Sequence, residues 1–150
     1  MPAPSPTPTR DLTEPAARLR LAVTRTARRL RQEAGAEIGP ASLAALATIE
    51  RLGPLTPSEL ARHERIQRPT ATRVLARLDE DGLVTRAADP ADGRCSIVTV
   101  TGEGRALLRK LRRRKNAYLA QSMRDLSGDD VATLERAAGI LERVLERERR

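Results

Sequence analysis

A mainly α fold with one small β-hairpin is predicted by three features of the 150-residue sequence. Apolar residues recur at three- and four-residue steps over most of its length, one stretch is dominated by β-branched residues, and turn-forming residues bound that stretch. Hydrophobic residues make up 39% of the chain but only Tyr118 is aromatic, so Leu, Val, Ile and Ala must fill the interior. The chain carries 28 Lys+Arg against 20 Asp+Glu, a net charge of +8, which gives one small domain a basic surface. A stacking platform for single-stranded nucleic acid needs exposed rings that this composition lacks. Duplex binding through backbone and grooves stays open.

Each element follows from local chemistry. Residues 1–15 hold Pro2, Pro4, Pro6, Pro8 and Pro15, half of the ten prolines, and read as a disordered Pro-rich arm. From Ala16 to about Ala34, the positions Ala16, Leu19, Val23 and Leu30 make one apolar face among many arginines, an amphipathic helix ended by Gly35 and Gly39-Pro40. Ser42 to Leu52 is apolar around most of its circumference and belongs in an interior. In Leu55-Thr56-Pro57-Ser58-Glu59, Thr56 can cap a helix, Pro57 suits its first position and Glu59 can reach back to the cap. That short helix runs to about His63. A second begins near Pro69 and closes at Gly82, with Ala71, Val74, Leu75 and Leu78 on one face and Thr72, Arg73, Ala76 and Arg77 on the other.

Leu83 to Arg86 and Ser96 to Val100 read as two strands joined by AADPADGRC, whose Asp89-Pro90 and Asp92-Gly93 are turn formers. A long helix follows from Thr101 through Met123, with two apolar sets, Leu107/Leu111/Tyr118 and Leu108/Leu119/Met123. Ser127 to Asp130 caps a last helix in which Val131, Leu134, Ala138, Leu141 and Leu145 form a seam suited to packing along another helix. No element of the same chain is left over to pair with that seam.

Two helices joined by a turn and followed by a hairpin constitute a winged helix-turn-helix, in which the second helix enters the major groove and the hairpin reaches the adjacent backbone or minor groove. From Arg62 to Arg77 five arginines stand against one acid, Glu64. Gln67, Arg68 and Thr70 lie at the start of the second helix, where side chains reach base edges and helix-end N–H groups meet phosphate. Thr72, Arg73 and Arg77 continue that exposed surface. Arg94, next to Gly93 near the hairpin tip, suits a narrow minor groove; its alternative is an ion pair with Asp89 or Asp92. The plainer reading of all these arginines is a solvated face. Arg105 to Lys115, with seven basic residues, reads as solvated platform surface rather than a second nucleic-acid site, and His63 as an exposed helix end.

Other classes find little support. A lone Cys95 and a lone His63 provide no disulfide and no Cys/His metal cluster, so neither metal nor cofactor is expected. There is no phosphate-binding glycine loop and no nucleophile elbow, so an enzyme is not expected. No apolar run nears the ~20 residues of a membrane span, and the N-terminus does not resemble a secretory signal, so the cytoplasm is the expected location.

Leu55 to Arg86 (LTPSELARHERIQRPTATRVLARLDEDGLVTR) followed by Asp89 to Gly104 (DPADGRCSIVTVTGEG) resembles the multiple-antibiotic-resistance regulator (MarR) family of transcription factors. The carrying positions are Thr72-Arg73, Leu78, Gly82 to Arg86, Asp92, Arg94 and Thr101 to Gly104. The resemblance implies a single domain over 16–150: a winged helix-turn-helix DNA-binding region at 40–103, and dimerisation helices at 16–35 and 104–150 forming a shared platform. It implies a homodimer on a pseudo-palindromic operator of double-stranded DNA, more often a repressor, with Asp92 and Arg86 supporting the wing. A small-molecule effector is a family expectation, but with so few aromatic residues no ligand residues are assigned. Peroxide-sensing members carry a reactive Cys near the first helix; here Cys95 lies on the wing, and Gly93 occupies the place of a first wing Arg. A winged-helix adaptor binding protein instead of DNA is the competing reading.

Overall fold

The computed structural model describes residues 11–35 and 37–147. The order of elements is α1 (Thr13–Ala34), α2 (Pro40–Leu52), α3 (Pro57–Glu64), α4 (Arg68–Glu80), β1 (Val84–Ala88), β2 (Ser96–Val100), α5 (Gly102–Ser122) and α6 (Gly128–Arg147). The expected fold class is the observed one. The first helix starts at Thr13, so its first three residues lie within the predicted arm; Pro15 falls in its first turn, where a missing N–H costs no hydrogen bond. Residues 1–10 of that arm lie outside the described residues. Among the described residues, no helix is long and apolar enough to cross a membrane.

The core lies where α2, α3, α4, the hairpin and the start of α5 converge. Leu46 and Ile49 of α2, Leu60 of α3, Leu75 and Leu78 of α4 and Val98 of β2 are fully buried. Each such side chain contributes about 1.5–3 kcal/mol by leaving water. The capping box at α3 forms as its sequence predicts: Thr56 Oγ1 accepts from the Glu59 N–H at 3.2 Å, and the Thr56 N–H donates to Glu59 at 2.8 Å. The backbone N–H of Thr56, then its hydroxyl, hold the Glu59 carboxyl below the usual carboxylate range.

β1 and β2 pair antiparallel from Val84↔Val100 to Ala88↔Ser96. Two backbone hydrogen bonds between Leu55 and Val98, 2.8 and 3.1 Å, add a one-residue third rung that anchors the hairpin to the α2–α3 connection. A tight corner joins the hairpin to α5. Thr101 Oγ1 donates to the Gly82 carbonyl at 2.7 Å and accepts from the Gly104 N–H at 3.1 Å. A Cβ on Gly104 would fall inside the contact shell of the Leu83 carbonyl oxygen, which is why the closing Thr-x-x-Gly ends in glycine.

The terminal helices are built differently. α1 packs on α5, yet only Ala34 of its residues is buried, and α6 has no buried residue at all. Leu134, Ile140, Val144 and Leu145 of α6 are each about half exposed. The two apolar sets expected on α5 are not lengthwise stripes. Leu108 and Leu111, one from each set, are both buried against the chain's own core, whereas Leu119, further along, is exposed. The division runs along the helix axis, because only its first half lies over the winged domain.

Candidate nucleic-acid interface

The second helix of the helix-turn-helix presents its N-terminal end free. Gln67 is the cap residue of α4 in an extended conformation (φ −69°, ψ 144°), and its side chain makes no capping hydrogen bond. Pro69 lacks an N–H, so the N–H groups of Arg68 and Thr70 are the first-turn donors left for an outside acceptor. Gln67, Arg68, Thr72 and Arg73 are exposed, while Thr70 is half-buried. Ala71, Leu75 and Leu78 on the opposite face are buried, which fixes the helix rotation and aims Thr72 and Arg73 outward. Arg77 is also exposed, but its Nε lies 3.2 Å from Asp81 Oδ2 one turn on, so part of its hydrogen-bonding capacity is taken.

The turn before α4 is set by Arg65, which caps α3 in the left-handed conformation (φ 52°, ψ 42°). Its N–H still reaches back to the Arg62 carbonyl at 3.3 Å, closing the helix before the chain turns. Glu64, the one acid in this basic segment, accepts a hydrogen bond from the Thr48 hydroxyl of α2. Its carboxylate is drawn toward the domain and away from the exposed arginines.

On the wing, the ion pair weighed for Arg94 is not formed. Among the described residues no carboxylate pairs with its guanidinium; Asp92 Oδ1 instead accepts the Arg94 backbone N–H at 3.1 Å, and Asp89 Oδ1 accepts the Ala91 N–H at 2.9 Å. These are Asx turns, in which a short acid holds the backbone two residues on. The Asp89 N–H also donates to the Cys95 carbonyl, and the Cys95 N–H to that of Asp92, at 2.8 and 2.9 Å. The loop backbone is thereby held while the Arg94 side chain stays available. Arg86 ties β1 to the far end of α4, its Nε 3.5 Å from Asp79 Oδ2. Asp92 thus contacts the loop backbone, and Arg86 the end of α4. The charge of Asp92, then a hydrogen bond to it, push the Cys95 thiol up, with Asp89 adding to the effect, which keeps this exposed cysteine protonated.

Sequence reasoning missed the roles of Asp79 and Arg65. Asx chemistry was legible in Asp89-Pro90 and Asp92-Gly93; the reach of Asp79 to Arg86 was not, because it depends on how the strand returns past the helix.

Residues 38–96 match the MarR family model. An HTH-type transcriptional regulator of Mycobacterium tuberculosis is 36% identical over 124 residues, 82% of this chain and 87% of the relative. The chain belongs to the MarR family. A transcriptional regulator structure from Pseudomonas aeruginosa superposes with a TM-score of 0.81 at 36% identity, covering 92% of this chain and 98% of that one. Wild-type MarR of E. coli in its apo form gives 0.69 at 31%, over 86% and 96%. The MarR fold accounts for the helical flanks and the wing alike, and this MarR-family chain is a DNA-binding, winged helix-turn-helix transcriptional regulator.

Proposed function

We propose that two copies of this regulator pair through α1, α5 and α6 and seat their α4 helices in successive major grooves of a pseudo-palindromic operator, with half-sites about 34 Å apart. Gln67, Arg68, Thr72 and Arg73 face the groove, Thr70 supplies its backbone N–H to phosphate, and Arg77 follows with one side tied to Asp81. Arg94 enters the flanking minor groove from a loop that Asp92 has already ordered, so little loop entropy is lost on binding. Bound across a promoter, the dimer excludes polymerase and represses.

The observation that carries this reading is the pairing of a free, outward-facing α4 start with a wing whose arginine has no internal carboxylate partner among the described residues. The unburied seam of α6 supports the dimer, since an apolar helix face left in water is stable only when something covers it. Relief by a small molecule fits the same arrangement. A cleft of about 250 Å³ between the α1–α2 connection and the end of α4 is lined by Glu37, Ile38, Pro40, Arg77 and Asp81. An occupant there would bear directly on Arg77 of the groove-facing helix.

A protection footprint on the DNA upstream of its own gene, followed by titration of variants, tests the reading. Arg73→Ala should cost about 1–3 kcal/mol and relax base preference. Arg94→Ala should weaken all sequences alike and make the salt dependence shallower by roughly one unit in log–log slope. Binding to random duplex as tight as to any genomic site would overturn it.

A further inference from the structure

The basic run of α5 is not one surface. Lys110 and Arg114 both pair with Glu37, at 2.7 and 3.0 Å, Arg114 also donates to the Ala34 carbonyl at 3.0 Å, and Arg112 pairs with Glu50. These cations fasten α5 to α1, to α2 and to the connection between them. Arg105, Arg109 and Arg113 are different: all three are exposed, and among the described residues none has a carboxylate partner. Spaced four apart, they form one stripe about 12 Å long on the helix surface. Their neighbours on that face are Gly102, Ala106, Asn116, Ala117 and Ala120, with Arg112, paired to Glu50 of α2, along one edge, so α5 itself adds no acid to the stripe.

We infer that this stripe is a second, sequence-independent contact for the backbone of duplex DNA flanking the operator. The chemistry of the face selects the partner. Small residues between arginines let a polyanion approach closely, and the absence of rings excludes stacking on single strands. A protein partner would need apolar or aromatic anchors, and a membrane surface an exposed apolar face; Leu108, which adjoins the stripe, is buried in the core, and a single exposed leucine beyond its end, Leu119, is too little for either. α5 also begins just one intervening residue after β2 ends, so the stripe starts at the base of the wing.

This inference rests on the proposed seating of α4 and the wing, and the test separates the two. The full chain and its Arg105→Gln/Arg109→Gln/Arg113→Gln variant are titrated over a range of salt. The probes are a duplex limited to the footprint and the same duplex extended by two turns of random sequence on each side. Wild type should bind the extended duplex more tightly and with a steeper salt slope, by about 0.9 for each phosphate engaged, roughly 3 for one stripe. The triple glutamine variant should bind both duplexes alike, with its footprint-length affinity unchanged, and the corresponding triple lysine variant should regain the length effect. No length effect in wild type, an equal loss on both duplexes, or loss of the dimer in the glutamine variant would overturn the inference. Failure of wild type to prefer the footprint sequence at all would instead overturn the seating of α4.

Discussion

The winged domain and the terminal helices use the same apolar residues to opposite ends. In the domain, Leu75 and Leu78 of α4 are buried to nothing, and α2 runs through the middle of the structure touching α3, α4, β2 and α5. In α6, a helix of 20 residues with a regular apolar seam, no residue is buried. The first region buries its apolar residues within one chain; the second leaves its seam uncovered there. If the proposed pairing covers that seam, platform stability depends on association, and DNA affinity becomes sensitive to anything that alters the platform.

Three measurements break or sharpen that contrast. The largest effect is expected from Leu134→Glu combined with Leu145→Glu. In the proposed dimer these changes bury charge at the seam, so sedimentation should report half the mass and two-site operator binding should be lost. The far-ultraviolet helical signal of the winged domain should survive. A variant that keeps its mass would put α6 outside the interface. Leu75→Ala is the counterpart within the domain: it should cost about 2–5 kcal/mol in denaturant unfolding, because it empties a site with no route to collapse. A loss below 1 kcal/mol would mean that the winged domain is less self-sufficient than its burial indicates.

The smallest effect belongs to the α3 cap. Thr56→Ala should cost about 1 kcal/mol at neutral pH. Because the native Glu59 pKa lies below its ordinary value, its contribution is present above the ordinary carboxylate range and is lost as pH falls through the native value. The gap between wild type and variant should therefore narrow on acidification, as followed by thermal unfolding at stepped pH. A gap that stays constant would assign the cap's effect to the Thr56 hydroxyl alone.

Much of the fold was legible because its signals are local. Thr56, Pro57 and Glu59 specify a helix start within four residues, and the β-branched run from Ser96 marks a strand without reference to anything distant. The interface was legible in part. Thr72 and Arg73 followed from helical periodicity, since a buried Leu75 face dictates an exposed one. Arg77 was read as part of the exposed face, and it is exposed, but Asp81 one turn later occupies its Nε, a pairing that the four-residue spacing could have signalled. Asp92 was read as supporting the wing; its Oδ1 accepts the Arg94 backbone N–H and makes no pair with the guanidinium.

Composition, periodicity and capping chemistry, which act over a few residues, were sufficient to determine a helical, basic, aromatic-poor chain with one hairpin and a helix that turns an arginine-bearing face to solvent. Three-dimensional packing alone decided which cations are spent on distant acids, on Glu37, Glu50 and Asp79, and which are left facing solvent. An ion pair between residues far apart in the chain depends on distances that only the assembled elements set. For the same reason the seam of α6 could be seen in sequence as needing a partner, while its complete lack of cover within the chain emerged only from the fold.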